Sequence, residues 1–170
     1  MRNTIVFIGI IGFIICLLLM YATDLGERGL RKYDADFKLL DMRFHYTTAD
    51  VSEAFEKLGE GGRKAYQNYW ILDFVFIVCF LLVMLTITDK IAVSGWAIYI
   101  LIALAIARAG FDIVENSLFL YLSKIYPAHN DSLATICSWT TTCKFISLYV
   151  WILGVVVMSL FPIIRRNFIQ

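Results

Sequence analysis

Residues 94–122 read "SGWAIYILIALAIARAGFDIVENSLFLYL". From Trp96 to Ala107 the stretch carries no charge. Arg108, Asp112, Glu115 and Asn116 then follow within about three helical turns. If this segment crosses a bilayer, the protein is an integral helix bundle and these groups must turn away from lipid. If it does not, it is the buried helix of a soluble domain. The rest of the chain decides between the two.

The 170 residues are 60% hydrophobic and 17% charged, and mean hydropathy is +0.74. Soluble domains sit near 45–50% apolar and about 25% charged, so both departures point to a membrane protein. A net charge of +1 gives no case for nucleic acid or for general anion attraction. Two prolines and ten glycines leave little room for disordered linkers. No internal repeat or low-complexity tract is present.

A spanning helix needs about 20 predominantly apolar residues. Four stretches qualify: residues 4–22, 69–88, 94–122 and 139–162, the last ending at Pro162. The first, behind Arg2, also invites reading as a signal peptide. Its apolar run is too long for that, and Met20 stands where a small residue should precede cleavage. We therefore take it as a retained helix.

Lys and Arg in the short flanks set orientation. With the N-terminus inside, Arg2, Lys90, Arg165 and Arg166 fall on the cytoplasmic side. The expected protein is a multi-pass protein of the cell membrane with both termini cytoplasmic and the loops 23–68 and 123–138 outside.

The long loop is patterned. "FHYTTADVSEAFEKLGEGG" (44–62) offers Thr47 or Thr48 as helix N-cap, with Asp50 and Glu53 near the positive end. Val51, Phe55 and Leu58 form one apolar stripe. Gly59 supplies a left-handed C-terminal residue, and Gly61 and Gly62 allow a sharp turn. A weaker pattern joins Leu30, Tyr33, Phe37, Leu40 and Phe44. The expected fold is all-α: a four-transmembrane-helix bundle in a single domain, with an amphipathic helical extracytoplasmic loop between helices 1 and 2. That loop either rests on lipid headgroups or lids a pocket.

Depth counting places the charges. With span three starting inside near Ser94, Arg108 is about 21 Å up, Asp112 about 27 Å and Glu115 about 32 Å. The spacing i, i+4, i+7 puts all three on one face. Asp73 lies about one turn below Tyr69 and Trp70, and Lys144 about one turn below Trp139. Three acids and two bases thus share the outer half, nearly neutral in sum. A charge at mid-bilayer costs roughly 2.5–3.5 kcal/mol, so these groups should face inward and meet. Such a layer is either ionic glue or a pocket.

In a pocket, Asp112, Glu115 and Asp73 are the acid/base candidates, since paired carboxyls can share a proton. Arg108, Asn116, Lys144 and Tyr66 are the ligand contacts, and Arg63 can meet a lipid phosphate. His45 and His129 can reach the carboxyls or stand as solvated surface histidines. No GxSxG, HExxH, CxxC or Walker-type loop is present. Metals and cofactors are not expected. Cys16 and Cys79 read as small hydrophobes. Cys137 and Cys143 match no metal or redox spacing, and a disulfide between them is the minor alternative. The inner half offers only Thr86, Thr88, Ser94, Ser147 and Ser159, which leaves a monomer without an evident ion path.

"LGEGGRKAY" followed by Asp73, together with "FDIVENSLFLYL", resembles a family of small, mostly bacterial four-span membrane proteins with LGxxGRxxY and DxxEN motifs. The resemblance covers about residues 40–165 and marks Gly59, Gly62, Arg63, Tyr66, Asp73, Asp112, Glu115, Asn116 and Lys144. It implies a fold and no reaction. In layout alone, the chain is also similar to the sterol-isomerase and sigma-2-receptor group, where acids sit in a four-helix pocket beneath a long first loop. Asp73 and Asp112 would be the matching acids.

The function expected is binding or modification of a lipid or other amphiphile in an outer-leaflet polar pocket. The alternative is a non-enzymatic accessory subunit whose charges pair helices. Membrane lipids are the expected surroundings, and a homo-oligomer or a membrane-protein partner is compatible with either reading.

Overall fold

The computed structural model describes residues 2–91 and 95–168. The described residues form helices and no strand: α1 (Arg2–Ala22), α2 (Glu27–Leu30), a 3-10 turn (Leu40–Met42), α3 (Thr48–Ile91), α4 (Gly95–Ile125) and α5 (Asp131–Phe168). Helices α1, α3, α4 and α5 are long and apolar enough to cross a membrane. Ser94, the expected start of the third span, lies outside the described residues, as do the side chains of Arg2, Arg165 and Arg166.

Several helices outrun the expected spans. α5 begins before its apolar stretch because Asn130 caps it: the Leu133 amide donates to Asn130 Oδ1 at 3.1 Å. It also runs past Pro162 to Phe168, where the sequence leads one to expect a stop. A proline removes one backbone donor, and the rest of the helical ladder can continue around it.

α3 is the longest element, and it bends at Gly59, whose φ of 62° and ψ of −172° only glycine adopts readily. This is the break expected there. The sharp turn assigned to Gly61 and Gly62 is absent, and both are helical. Their smallness serves packing instead. A Cβ at Gly61 would lie 2.9 Å from Tyr33 Cε1, and one at Gly62 would lie 2.8 Å from Leu58 Cβ.

The short arm of α3 before Gly59 starts with a reciprocal cap. The Thr47 amide donates to Asp50 Oδ2 at 2.7 Å, and the Asp50 amide donates to Thr47 Oγ1 at 3.2 Å. These bonds hold the Asp50 carboxyl below its ordinary value. Val51, Phe55 and Leu58 are all buried, so the stripe seen in the sequence faces the protein. The other loop pattern does not make a long helix. Leu30, Phe37 and Leu40 are buried, whereas Tyr33 and Phe44 are each 51% exposed. Segment 23–47 is mostly irregular chain because buried side chains, not a regular repeat, hold it down.

Packing is uneven. At the loop end, Trp70 stacks on Phe119 at 5.0 Å and on Tyr66 at 3.9 Å, and Phe55, Tyr46 and Leu122 close around them. At the opposite end a smaller cluster holds Met84, Leu101, Ala105 and Trp151. α4 packs on α5 and on α3, and α1 packs along α3. Gly9 and Gly12 allow that last approach, since a Cβ at Gly12 would lie 2.5 Å from Cys79 Sγ. α1 and α5 barely touch.

Gly59 tests the bend cleanly, because a Cβ there meets nothing within 4 Å. Gly59→Ala should therefore cost backbone strain alone, about 1–3 kcal/mol. Thermal unfolding in detergent should show a lower Tm than wild type; an unchanged Tm would mean that the bend is not needed.

Candidate functional site

α4 supplies one wall. Arg108, Asp112, Glu115 and Asn116 recur on one helical face, and each is at most 5% exposed. Arg108 Nη2 lies 2.6 Å from Asp112 Oδ2. Its guanidinium carbon sits over the Phe80 ring at 4.5 Å and the Phe76 ring at 5.8 Å. This stacking gives the cation a favourable face where no acceptor is at hand.

α5 supplies Lys144. Its ammonium lies 3.1 Å from Asp112 Oδ1 and 2.5 Å from Glu115 Oε2. It also donates to the Asp41 backbone carbonyl at 2.9 Å. Glu115 is completed from the same helix, where the Thr141 hydroxyl donates to Oε1. Thr141 Oγ1 in turn lies 3.0 Å from the Tyr46 hydroxyl. Both oxygens of Glu115 are hydrogen-bonded, and each oxygen of Asp112 lies in ion-pair contact with a cation, although its Oδ2 accepts no well-aligned hydrogen bond.

α3 supplies Asp73. The Asn116 amide donates to Asp73 Oδ2 at 2.6 Å, and that is the carboxylate's single hydrogen bond among the described residues. Asp73 is 4% exposed. The sequence reading joined these five charged residues, and the structure brings all five together with Asn116.

It also brings in one that the reading missed. Asp41 is buried in the 3-10 turn at the roof of the cluster. Tyr66 donates its hydroxyl to Asp41 Oδ1 at 2.8 Å, and Tyr69 donates to Oδ2 at 3.3 Å. Tyr66 thus belongs to the site through Asp41. Burial pushes the Asp41 carboxyl above its ordinary value of 3.8, against the pull of Lys144 and of the Tyr66 bond. The only signal in the sequence was its setting, "LLDM" (39–42). That signal is weak, because Asp36 sits between Ala35 and Phe37 and is exposed.

Asp41 corrects the charge sum. The cluster holds four carboxyls, Asp41, Asp73, Asp112 and Glu115, against two cations, Arg108 and Lys144. Its formal sum is two negative charges, which the raised Asp41 carboxyl offsets in part by keeping its proton.

Other candidates stand apart. Arg63 donates to the Phe55 carbonyl at 3.0 Å and stacks on Tyr126 at 4.4 Å. It braces the bend at Gly59 and is partly buried. His45 is exposed, with Nδ1 3.0 Å from Ser138 Oγ and its ring against Trp139. His129 lies 3.1 Å from Ser52 Oγ. Neither histidine has a hydrogen bond to the carboxyls. The four cysteines are free, and Cys137 donates to the Glu115 carbonyl.

Beside the cluster lies a cavity of about 190 Å³. Asp41, Asp73, Asp112, Arg108 and Lys144 border it, and Glu115 does not. Leu17, Met20 and Tyr21 of α1 form one flank, Phe145 and Leu148 of α5 the other, and Phe76 and Phe80 add aromatic wall. The cavity occupies the gap where α1 and α5 fail to pack. Comparison with protein-family models, curated proteins and solved structures finds no match for the chain.

Two outcomes follow from this geometry. Removing one partner of a buried ion pair strands the other, at about 3–5 kcal/mol. Lys144→Met and Glu115→Gln should each lower stability, and the double variant should lose at least about 1 kcal/mol less than the two losses combined. Additive losses in a denaturation cycle would mean that the two do not interact.

Asp41 carries a pH signature. A carboxyl raised in the folded protein adds stability below the unfolded value and loses it as pH rises through the folded value. Asp41→Asn should therefore gain on wild type as pH rises from about 4 upward, read as the difference in Tm across that rise. A difference that stays flat would mean that Asp41 ionises as freely in the folded chain as in the unfolded one.

Proposed function

We propose that the protein binds an amphiphile, or acts on one, in a pocket open to the outer leaflet of the cell membrane. The observation that carries this reading is the cavity between α1 and α5. Its polar wall and apolar flanks match a molecule with a polar head and a hydrocarbon tail. It lies where two neighbouring helices leave a seam, so a lipid-soluble ligand can reach it sideways. Segment 23–47 covers the polar end as a roof. In this reading both termini are cytoplasmic, because Lys90, Arg2, Arg165 and Arg166 all fall in the sequence flanks of the spans away from the long loop.

If the protein is an enzyme, Asp73 is the better acid/base candidate. It borders the cavity and has an oxygen to spare, while both oxygens of Asp112 and of Glu115 are held. Those two, with Arg108 and Lys144, act by fixing the shape of the wall.

The second reading is an accessory subunit, alone, as a homo-oligomer or beside a membrane-protein partner. The dense pairing of Lys144 with Asp112 and Glu115 favours it. Asp112 and Lys144 border the cavity too, but Asp73 keeps an unbonded oxygen beside it, which is why the pocket reading survives the pairing.

Leu17→Trp and Leu148→Trp place an indole from either flank into the cavity without touching the charges. Wild-type protein purified in mild detergent should carry a co-purifying amphiphile, identified by mass spectrometry of the extract. Both variants should unfold within a few degrees of wild type and should lose that molecule. Equal amounts of the same amphiphile in all three proteins would overturn the pocket reading.

A further inference from the structure

We infer that the head of the ligand is a cation bearing N–H donors, an ammonium of the alkylamine class, seated against Asp73 and Asp41. This rests on the amphiphile pocket proposed above and names its chemistry.

The argument is a count of donors and acceptors. An ammonium has three N–H groups. Lys144 has three acceptors in reach: Asp112 Oδ1, Glu115 Oε2 and the Asp41 carbonyl. Arg108 spends Nη2 on Asp112, and its planar face lies on Phe80. Its Nε and Nη1 are enclosed and without a hydrogen-bond partner, out of reach of a molecule in the cavity. Lys144 is saturated, and Arg108 is already paired through Nη2 with Asp112, so an anionic head would have to compete for both wall cations.

The acceptors are in the opposite condition. Asp73 is nine-tenths buried and borders the cavity, with only Oδ2 bonded, to a neutral amide. Asp41 borders the same space, and its oxygens accept only from two neutral tyrosine hydroxyls. Four carboxyls against two cations leave an excess of two formal negative charges. A buried carboxylate without a counter-charge is costly and keeps its proton more readily, as Asp41 does; a positive head beside it would replace that proton as the compensating charge.

An ammonium head answers each point. It brings the missing charge, and its N–H groups meet the spare acceptors. The rings of Tyr21, Tyr69 and Phe76 around the same space can face its positive end. A hydroxyl head brings a donor without the charge. A phosphate or carboxylate head adds to the negative sum and meets only cations that are already paired.

The test is a head-group series on one tail. Radiolabelled dodecylamine is bound to the purified full chain in maltoside micelles and displaced by unlabelled dodecylamine, dodecanol or dodecyl phosphate. Dodecylamine should bind saturably and at least about tenfold more tightly than the other two, because only its charge is complementary to the wall. Asp73→Asn, which is isosteric and can still accept from Asn116, should erase that preference and leave weak binding like that of dodecanol. The wild-type series decides the matter alone if the variant does not fold.

Dodecanol or dodecyl phosphate binding as tightly as dodecylamine would overturn the cationic assignment and leave the pocket standing. Saturable binding of none of the three would overturn the pocket reading, and the assignment with it.

Discussion

One ammonium group holds the loop end of the bundle together. Lys144 reaches from α5 to Asp112 and Glu115 on α4 and to the Asp41 carbonyl in the loop. A charge withdrawn from water survives only where pairing and hydrogen bonding replace hydration. That demand sets the register between α4 and α5, since a shift of one residue would turn Asp112 and Glu115 away from it. It also pins segment 23–47, whose regular helix is confined to a few residues. The roof is therefore fastened by a side chain of the bundle more than by its own secondary structure.

The aromatic core does the complementary job from above. Trp70, Tyr66 and Phe119 stack between α3 and α4, and Tyr66 carries that stack into the polar layer by donating to Asp41. The bend at Gly59 lets the short arm of α3 fold Phe55 and Leu58 onto the same core. Arg63 braces the bend through the Phe55 carbonyl and Tyr126. Polar and apolar layers thus share residues, and neither would keep its shape without the other.

The parts legible in the sequence were those with a local cause. Apolar runs of spanning length made four long helices, helical spacing put Arg108, Asp112 and Glu115 on one face, and a glycine after an apolar stripe marked the bend. What was not legible depends on contacts distant along the chain. Asp41 and Lys144 are 103 residues apart, and nothing near Asp41 says that it will be buried. Arg63, read from its sequence position as a headgroup contact, is also tied to the Phe55 carbonyl and the Tyr126 ring, contacts eight or more residues away that its setting does not announce. His45 shares a segment with the roof, yet its exposed ring turns to Ser138 and Trp139. Helix ends were misjudged where capping by Asn130 or continuation past Pro162 extended a helix beyond its apolar run.

The cavity and the unmatched carboxyls occur together for a geometric reason. α1 packs along α3 on the small surface of Gly9 and Gly12 and does not close against α5. The side of the cluster facing α4 and α5 is therefore crowded with side chains that can pair, and there the ions are matched. The side facing α1 meets only Leu17, Met20 and Tyr21, of which one offers a polar atom. Asp73 and Asp41 look onto that side. A bundle selected for stability alone would place a base or an apolar residue at one of those acids, since well-packed apolar replacements of buried ionic groups are often neutral or stabilising. Keeping two acids beside open space instead leaves their compensation to a proton, as at Asp41, or to the head group proposed above.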